Sequence, residues 1–491
     1  MSHCIFSYLI AEHSHGQEYA FPELPVQREF GCYQLHTDAS TPFLWAAHGS
    51  VQCGVFGLAV NVHTGDSQGI AQEIAGSCTC IQDVVEYEKQ LGGKYLILFS
   101  SQDQYALLGD ATCSIPIFYN TEGSFLCSSN EHIIAKLKQY PLDEAFSAIR
   151  RSGDISQAMP YDITPYRQIK QLIPNHYLDL NQQRSVRFVN ASRKQTPVPV
   201  EEATKQVLPM VQTLLNFYLT QEKLYCPLTA GRDSRVVLSF LLNSGADFSC
   251  YTIRHPEHQD HTQDITVPVE LCNHVGIPHK LVEDVTLSED LIRSTDQILG
   301  QGCYSMRTLR IAQTIREYFG DGAILNGDII GQVGKCSLHR DIPAIFATPS
   351  YFRCKMHNFS KGAKKQLKLW LSEIKDSGEQ VNTFDLFSIE NRMGRWAAQT
   401  SLVYNTLGQN SLNIFNSRSI LYIWTGVDRK KRKTAALHAD LIRNTWGALA
   451  ELPFEKDESL AVRLSKSTGM IYLLSSYMKF YLEKLTKRVI K

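Results

Sequence analysis

The chain has 491 residues, of which 43% are hydrophobic and 20% charged, and its 49 basic residues balance its 49 acidic residues. A formally neutral chain lacks the basic surface that contacts with nucleic-acid phosphates need, so we expect no general nucleic-acid binding. No run approaches the roughly 18 apolar residues of a membrane-spanning helix, and the amino terminus reads as a first strand without a basic start. We therefore expect a cytoplasmic protein with no integral membrane segment.

The 13 cysteines are odd in number and scattered along the chain. No pair of closely spaced cysteines is followed by a second such pair, which is the spacing typical of structural zinc sites. This distribution favours free thiols in a reducing compartment and argues against zinc.

The first 190 residues or so contain short apolar runs separated by turn residues, for example at 95–99 and 105–109. Runs of this length and spacing are typical of hairpins in a β-rich or α+β domain. The polar, proline-containing stretch 191–199 predicts a linker after them.

From residue 200 the sequence alternates between helical and extended patterns. The predicted elements are a helix at 201–218, a strand at 224–228, a helix at 236–242, a strand at 248–253, a helix at 265–275 and a strand at 323–327. Such alternation predicts a parallel sheet of the α/β class, and the residues from about 350 onward look mostly helical. Ligands bind beyond the carboxyl ends of strands in such sheets, so we expect the loops after these strands to converge.

The loop at 229–234, with the sequence Thr-Ala-Gly-Arg-Asp-Ser, joins the predicted strand at 224–228 to the following helix. A small turn of this kind points backbone N–H groups at an anion above the helix amino terminus. Asp233 adds the hard oxygen ligand that a phosphate-bound Mg²⁺ needs. An ordinary strand–helix turn remains the alternative. The run at 331–336 is no P-loop, because it lacks both the glycine spacing and a Ser or Thr after its lysine.

The loop resembles the Ser-Gly-Gly-x-Asp-Ser pyrophosphate-binding loop of enzymes that cleave ATP to AMP and pyrophosphate. Three earlier segments, at 109–119, 125–131 and 169–177, resemble amino-terminal motifs of the asparagine synthetase family in the same order. The resemblance implies two domains of the α+β and α/β classes. Residues 1–190 would form a β-rich sandwich like the Ntn hydrolases, and residues 200–491 a parallel-sheet domain like the adenine-nucleotide α-hydrolases, with a helical carboxyl-terminal part.

The same resemblance implies ATP and Mg²⁺ as cofactors. Asp233 and Asp328 would hold the metal and, together with Lys433, would be the catalytic residues. Solvated charge remains the alternative for the two arginines of the loop and for Lys433, which lies in the basic run 429–433. The residues expected to contact the nucleotide are Thr229, Ala230, Gly231, Arg232, Ser234, Arg235, Thr252, Ile253, Asn326 and Gly327.

Three positions depart from the family pattern. A glutaminase of this type needs an amino-terminal cysteine, but this chain has Ser2, and Cys4 lies too far inside. Phe56 falls where the family has the asparagine that donates to the oxyanion, and a phenyl ring cannot donate. Only Asp328 remains of the acidic residues expected after Gly327, so the predicted metal site is leaner than usual. In lacking glutaminase residues the chain is similar to β-lactam and lasso-peptide macrolactam synthetases.

These observations predict an ATP-dependent carbon–nitrogen ligase without its own glutaminase activity. It would adenylate the carboxylate of a small molecule or peptide and transfer the acyl group to an amine or to ammonia. A catalytically silent nucleotide-binding or scaffold protein is the alternative, and a homodimer is possible. The histidine-rich run 255–261 predicts a polar loop at the mouth of the nucleotide site, and the apolar spacing within 470–491 predicts a packed terminal helix.

Overall fold

We describe the protein from a computed structural model. The structure describes residues 5–13, 24–102, 104–143, 159–188, 197–255, 262–336, 342–356, 358, 361–452, 474, 478 and 482. The predictions for Ser2, Cys4, the histidine-rich run beyond His255 and nearly all of the terminal helix therefore lie outside the described residues. Among the described residues, no helix combines the length and apolarity that crossing a membrane requires.

The amino-terminal part contains two antiparallel sheets of six strands each. The strands of the first sheet are, in spatial order, Ile169–Gln171, Phe118–Asn120, Leu126–Ser128, Tyr8–Glu12, Tyr33–Thr37 and Val26–Phe30. Those of the second sheet are, in spatial order, Arg184–Arg187, His176–Asp179, Gln104–Gly109, Leu91–Ser101, Val51–Asn61 and Phe43–His48. Among the described residues of this part, three α-helices accompany the sheets, at Ile70–Ser77, Ile81–Glu88 and Glu131–Lys138.

The central strand Leu91–Ser101 is buried on both faces. Leu96 and Leu98 belong to the core shared with the first sheet, whereas Ile97 and Phe99 pack in a second core with helices Ile70–Ser77 and Ile81–Glu88. Successive side chains of a strand point to opposite faces, so an apolar run without alternation suits a strand covered on both sides. The hairpin predicted around 95–99 and 105–109 is confirmed, with Leu98 opposite Leu107.

The carboxyl-terminal part contains a five-stranded sheet in which every pair is parallel. Its strands are, in spatial order, His279–Glu283, Ser249–Arg254, Leu224–Pro227, Gly322–Leu325 and Gln409–Leu412. The two strands that follow Leu224–Pro227 in the sequence are added on one side of it, and the two later strands, Gly322–Leu325 and Gln409–Leu412, are added on its other side. The order of strands therefore reverses beside this strand, and crevices at such reversals are where ligands bind in open parallel sheets.

Helices cover this sheet in the part of the chain that the structure describes. The helices up to residue 319 are Val200–Gln221, Arg232–Ser244, Gln263–Val275, Glu289–Leu299 and Met306–Phe319. Later α-helices are Pro349–Lys355, Lys361–Ser377, Thr383–Leu386, Ala398–Thr406, Arg418–Thr425, Arg429–Lys433 and Ala436–Thr445. Two π-helical segments lie at Ile330–Gly334 and Phe387–Ala397, and short 3₁₀ turns lie at Ala344–Phe346 and Gly447–Ala450.

The predicted helices and strands between 201 and 327 are confirmed, with small shifts at their ends. Two edge strands, His279–Glu283 and Gln409–Leu412, were not predicted, and the second interrupts the region expected to be helical. Both are short and largely polar, so hydrophobic periodicity does not reveal them. They are strands because their backbones pair with the neighbouring strands Ser249–Arg254 and Gly322–Leu325.

A buried carboxylate joins the amino-terminal part to the helical part. Glu390 accepts two hydrogen bonds from Arg187, at 2.9 and 2.7 Å, one from Trp370 at 2.6 Å and one from Asn175 at 2.7 Å. The Glu390 side chain is 0% exposed and that of Arg187 3%. A buried ion pair is tolerated only when its remaining donors and acceptors are satisfied, and here the carboxylate is fully satisfied.

We predict that Glu390→Ala lowers the free energy of unfolding by about 3–5 kcal/mol, because the buried Arg187 guanidinium loses its two hydrogen bonds to Glu390 and keeps only the 3.5 Å contact with Glu373. Chemical denaturation followed by circular dichroism measures the change. Glu270→Gln, at an exposed glutamate, is the matched control and is expected to change stability by less than about 0.5 kcal/mol. Equal stability of the two variants would contradict the assigned role of Glu390.

A second carboxylate beside this network predicts acid sensitivity. Burial alone would raise the pKa of Glu373, but the hydrogen bond from His176 and the charge of Arg187 lower it to about 2. An unfolded glutamate has a pKa of about 4.3, so the unfolded chain binds more protons at low pH and the contribution of Glu373 is lost as pH falls from about 4 toward 2. Glu373→Gln should therefore lose stability less steeply than the wild type over this range, by on the order of 2 kcal/mol. Denaturation at several pH values tests this, and parallel curves would refute it.

Candidate nucleotide site

The loop between strand Leu224–Pro227 and helix Arg232–Ser244 lies at the carboxyl edge of the parallel sheet, beside the reversal of strand order. The strand stays paired up to Leu228, whose N–H donates to the carbonyl of Tyr251 at 2.8 Å. The helix begins after Gly231, and no side chain caps it. Its first-turn N–H groups therefore lack the usual side-chain acceptor, which is the arrangement that binds anions.

Side chains of the loop fix its shape. The hydroxyls of Thr229 and Ser234 face each other at 3.4 Å, and the Thr229 hydroxyl accepts from the Gly231 N–H at 3.2 Å. The Ala230 N–H donates to Asp264 at 3.0 Å. Sequence reasoning missed Asp264, which reaches the loop from the first turn of the neighbouring helix. Ala230 is fully buried, and its small side chain suits this position.

A cavity of about 310 Å³ opens at this edge of the sheet. It brings together four residues that the sequence predicted for nucleotide contact, from three separate segments of the chain: Thr229, Thr252, Ile253 and Asn326. Thr252 and Ile253 lie on the strand Ser249–Arg254, whereas Thr229 and Asn326 follow their strands. The other lining residues are Pro227, Leu228, Tyr251, His255, Asp264, Arg307, Ile311, Ile324 and Tyr404. A partly apolar cleft with a few polar groups is typical of sites for small molecules.

The Thr252 hydroxyl is already committed inside the sheet. It donates to the Leu228 carbonyl at 2.9 Å and lies 2.9 Å from His279 Nε2. Asn326 is held in a similar way, because its side chain donates to the Ser411 hydroxyl at 2.7 Å. These contacts orient the lining of the cavity.

Asp233 projects from the first turn of the helix and is paired with a histidine. Its Oδ1 lies 2.8 Å from Nε2 of His438, whose side chain is 1% exposed, whereas that of Asp233 is 38% exposed. Burial alone would raise the pKa of Asp233, but the His438 bond and the charges of Lys335 and Arg232 lower it overall. Burial lowers the pKa of His438, so the ring is neutral near pH 7 and its Nε2–H donates to Asp233.

Asp328 lies near Asp233 but lines a different, smaller cavity. Burial, and secondly the negative charge of Asp233, raise its pKa to about 6, although the Arg392 charge opposes this. It lines a space of about 30 Å³ between the antiparallel sheets and the parallel sheet, together with Lys94 and Asn326. Asn326 lines both cavities and so stands between them.

The donor set for a metal is small. Among the described residues there is no group of three or more His, Cys, Asp or Glu side chains arranged to hold an ion. Two carboxylates suffice for Mg²⁺ only when phosphate oxygens and waters complete its shell. The negative charge of Asp233 acts on Asp328, and a cation held by both carboxylates would offset that repulsion. The residues therefore fit a phosphate-bound Mg²⁺ better than a free one.

Two glycines let the neighbouring segment approach Asp233 closely. A Cβ atom added to Gly327 would lie 2.9 Å from the main-chain carbonyl of Asp233, and one added to Gly331 would lie 2.4 Å from its Oδ2. The π-helical turn Ile330–Gly334 thus packs directly against the carboxylate. Single π-turns of this kind are frequent at functional sites.

The cations predicted from the sequence have different positions. Arg232 donates to the Thr434 carbonyl at 3.2 Å, which brings the segment carrying Lys433 beside the loop. Lys433 itself is half-buried, and its role stays a prediction. Arg235 requires a correction, because its guanidinium is buried and donates to the carbonyls of Leu449 and Leu452. It ties the helix to the chain after residue 447.

Aromatic side chains fill the position where the resemblance to the asparagine synthetase family predicted a hydrogen-bond donor to an oxyanion. Phe56 is 1% exposed and packs edge to face against Tyr8, with ring centroids 5.9 Å apart, and against Phe43 at 6.1 Å. These rings belong to the core between the two antiparallel sheets. The place is therefore part of a packed interior.

No protein-family model matches the chain, and no curated protein matches it. Among solved structures, the chain is similar to one described as the allosteric regulatory enzyme of purine biosynthesis. The identity is 10% and the TM-score 0.19, over 74% of this chain and 85% of that one. At this TM-score the similarity supports no statement about fold or function.

We predict that Gly331→Ala displaces the Asp233 carboxylate, because the new methyl group would overlap Oδ2 while His438 holds Oδ1. Overpacking of this kind costs about 1–3 kcal/mol of stability. Thermal denaturation measures the loss, and the imidazole signals of His438 report whether its hydrogen bond survives. Gly447→Ala is the control, since a Cβ there meets nothing within 4 Å. An unshifted His438 and an unchanged melting temperature would contradict the packing described here.

Proposed function

We propose that this protein is an ATP-dependent carbon–nitrogen ligase. It adenylates a substrate carboxylate, releases pyrophosphate, and passes the acyl group to an amine or ammonia. The observation that carries the proposal is the cavity of about 310 Å³ at the strand-order reversal, to which three separate segments of the chain bring Thr229, Thr252 and Asn326. An uncapped helix amino terminus adjoins it, and this supports phosphate binding at that point.

Each part of the site has a role in this reaction. The first-turn N–H groups and the hydroxyls of Thr229 and Ser234 hold the phosphate chain. The main chain around Ile253 lines the place for the base. Asp233 and Asp328 would hold Mg²⁺, which would supply positive charge to offset that of the phosphates. Because carboxylate oxygen is a poor leaving group, activation requires the phosphoryl bond to AMP before an amine can attack.

The nitrogen comes from elsewhere than a glutaminase site in this chain. The Phe56 ring carries no hydrogen-bond donor, and it is packed between Tyr8, whose hydroxyl donates to the Pro116 carbonyl, and Phe43. The amine is therefore ammonia from solution or from a partner, or a group on the substrate itself. The second function, a nucleotide-binding scaffold without catalysis, is favoured by the small number of carboxylates at the site.

We predict that the wild type binds MgATP and exchanges labelled pyrophosphate into ATP when a suitable carboxylate is present, and that Asp233→Asn reduces both by at least about tenfold. The reason is that the variant removes the charge facing the metal while it keeps the size of the side chain. Titration calorimetry measures binding, and a panel of amino acids, β-amino acids and short peptides serves the exchange assay. Asp290→Asn, at a side chain 93% exposed on a distant helix, is the matched control.

The outcomes separate the two functions. Exchange with any member of the panel, lost in Asp233→Asn and retained in Asp290→Asn, supports the ligase. Binding of MgATP without exchange across the whole panel supports the scaffold. A wild type that binds no ATP contradicts both.

A further inference from the structure

Lys335 follows directly on the π-helical turn that packs against Asp233. Its N–H closes the turn by donating to the Ile330 carbonyl at 3.0 Å. The turn is fixed at both ends, because Gly331 abuts the Asp233 carboxylate and the Val333 carbonyl accepts from Arg432 at 2.8 Å. Lys335 therefore projects from a backbone whose position relative to the loop is determined.

The Lys335 side chain is half-buried yet uncommitted. It forms no hydrogen bond, and no ion pair within 4.0 Å, with any residue that the structure describes. Its positive charge nevertheless acts on both Asp233 and His438, and it lowers the pKa of each. The turn that packs against Asp233 places Lys335 beside the site, and the ammonium is not used in contacts with the described residues.

The neighbouring arginines are engaged in the protein itself. Arg235 donates to the carbonyls of Leu449 and Leu452, and Arg432 pairs with Asp385 at 2.7 Å with both side chains buried. Arg232 donates to the Thr434 carbonyl. A flexible lysine with three unused donors is suited to bind phosphate as a point charge, as lysines do in other phosphate sites.

We propose that the ammonium of Lys335 binds the β- and γ-phosphate oxygens of ATP and stabilises the charge on the departing pyrophosphate. This inference rests on the proposed function. In the step concerned, a substrate carboxylate oxygen forms a bond to the α-phosphorus as the bond from that phosphorus to the bridging α–β oxygen breaks. The electron pair leaves with pyrophosphate, and Lys335 stays protonated throughout, donating hydrogen bonds only. Beyond ATP and the substrate carboxylate, the step needs no further reactant, oxidant or reductant.

The test compares the binding of three probes to the full chain at fixed Mg²⁺: ATP, inorganic pyrophosphate and AMP. Lys335→Gln should weaken the binding of ATP and of pyrophosphate by about tenfold or more, since a charge-assisted contact is lost. AMP lacks the phosphates concerned, so its affinity should stay within about twofold of the wild-type value. Lys335→Arg keeps the charge and should restore most of the affinity. Lys368→Gln, at an exposed lysine of helix Lys361–Ser377, is the matched control.

Two results would overturn the inference while leaving the proposed function standing. One is a wild type that binds ATP and a Lys335→Gln variant that binds ATP and pyrophosphate equally well. The other is an equal loss for AMP, which would mean general damage to the site. If the wild type binds neither ATP nor pyrophosphate, the proposed function itself fails. Circular dichroism will show whether Lys335→Gln folds. If it does not fold, the test uses Lys335→Arg, which keeps the positive charge. Loss of pyrophosphate binding in a folded Lys335→Arg variant would refute a role for that charge.

Discussion

The structure depends on burying opposite charges where its two halves meet. Arg187 pairs with Glu390, and Arg418 pairs with Glu88, with all four side chains at most 3% exposed. Removing such charges from water is costly, so each pair persists only because further donors and acceptors complete it. Arg418, for example, also donates to Asn175 at 2.8 Å. These contacts have exact partners, and they therefore fix how the antiparallel sheets sit against the helical part.

The same contacts position the candidate site. Glu390 lies on the π-helical segment Phe387–Ala397, and Arg392 on that segment carries a charge that acts on Asp328. The small cavity lined by Asp328 also includes Lys94 from the second antiparallel sheet. The amino-terminal half thus forms one wall of the space beside the candidate nucleotide cavity. It contributes polar side chains to this wall, among them Lys94, Thr112 and Ser114.

Electrostatic balance at Asp233 explains why a half-exposed carboxylate can stay charged among buried groups. A neutral His438 donates to one oxygen, and the charges of Arg232 and Lys335 lie nearby. The close packing of Gly331 on the other oxygen removes space for a side chain but leaves the carboxylate 38% exposed. The Asp233 carboxylate therefore stays charged and accessible, which suits the binding of a cation or a charged ligand.

The sequence by itself determined the alternation of helices and strands from 200 to 327 and the loop at 229–234, because periodicity and small residues express local preferences. It also predicted that Thr229, Thr252 and Asn326 would meet, since the carboxyl ends of parallel strands share one edge. Only the tertiary structure decided that Arg235 is buried among carbonyls, and that His438, 205 residues from Asp233, is its partner. Periodicity states which face of an element is buried, but the side chain that faces it across the interior depends on how distant segments pack.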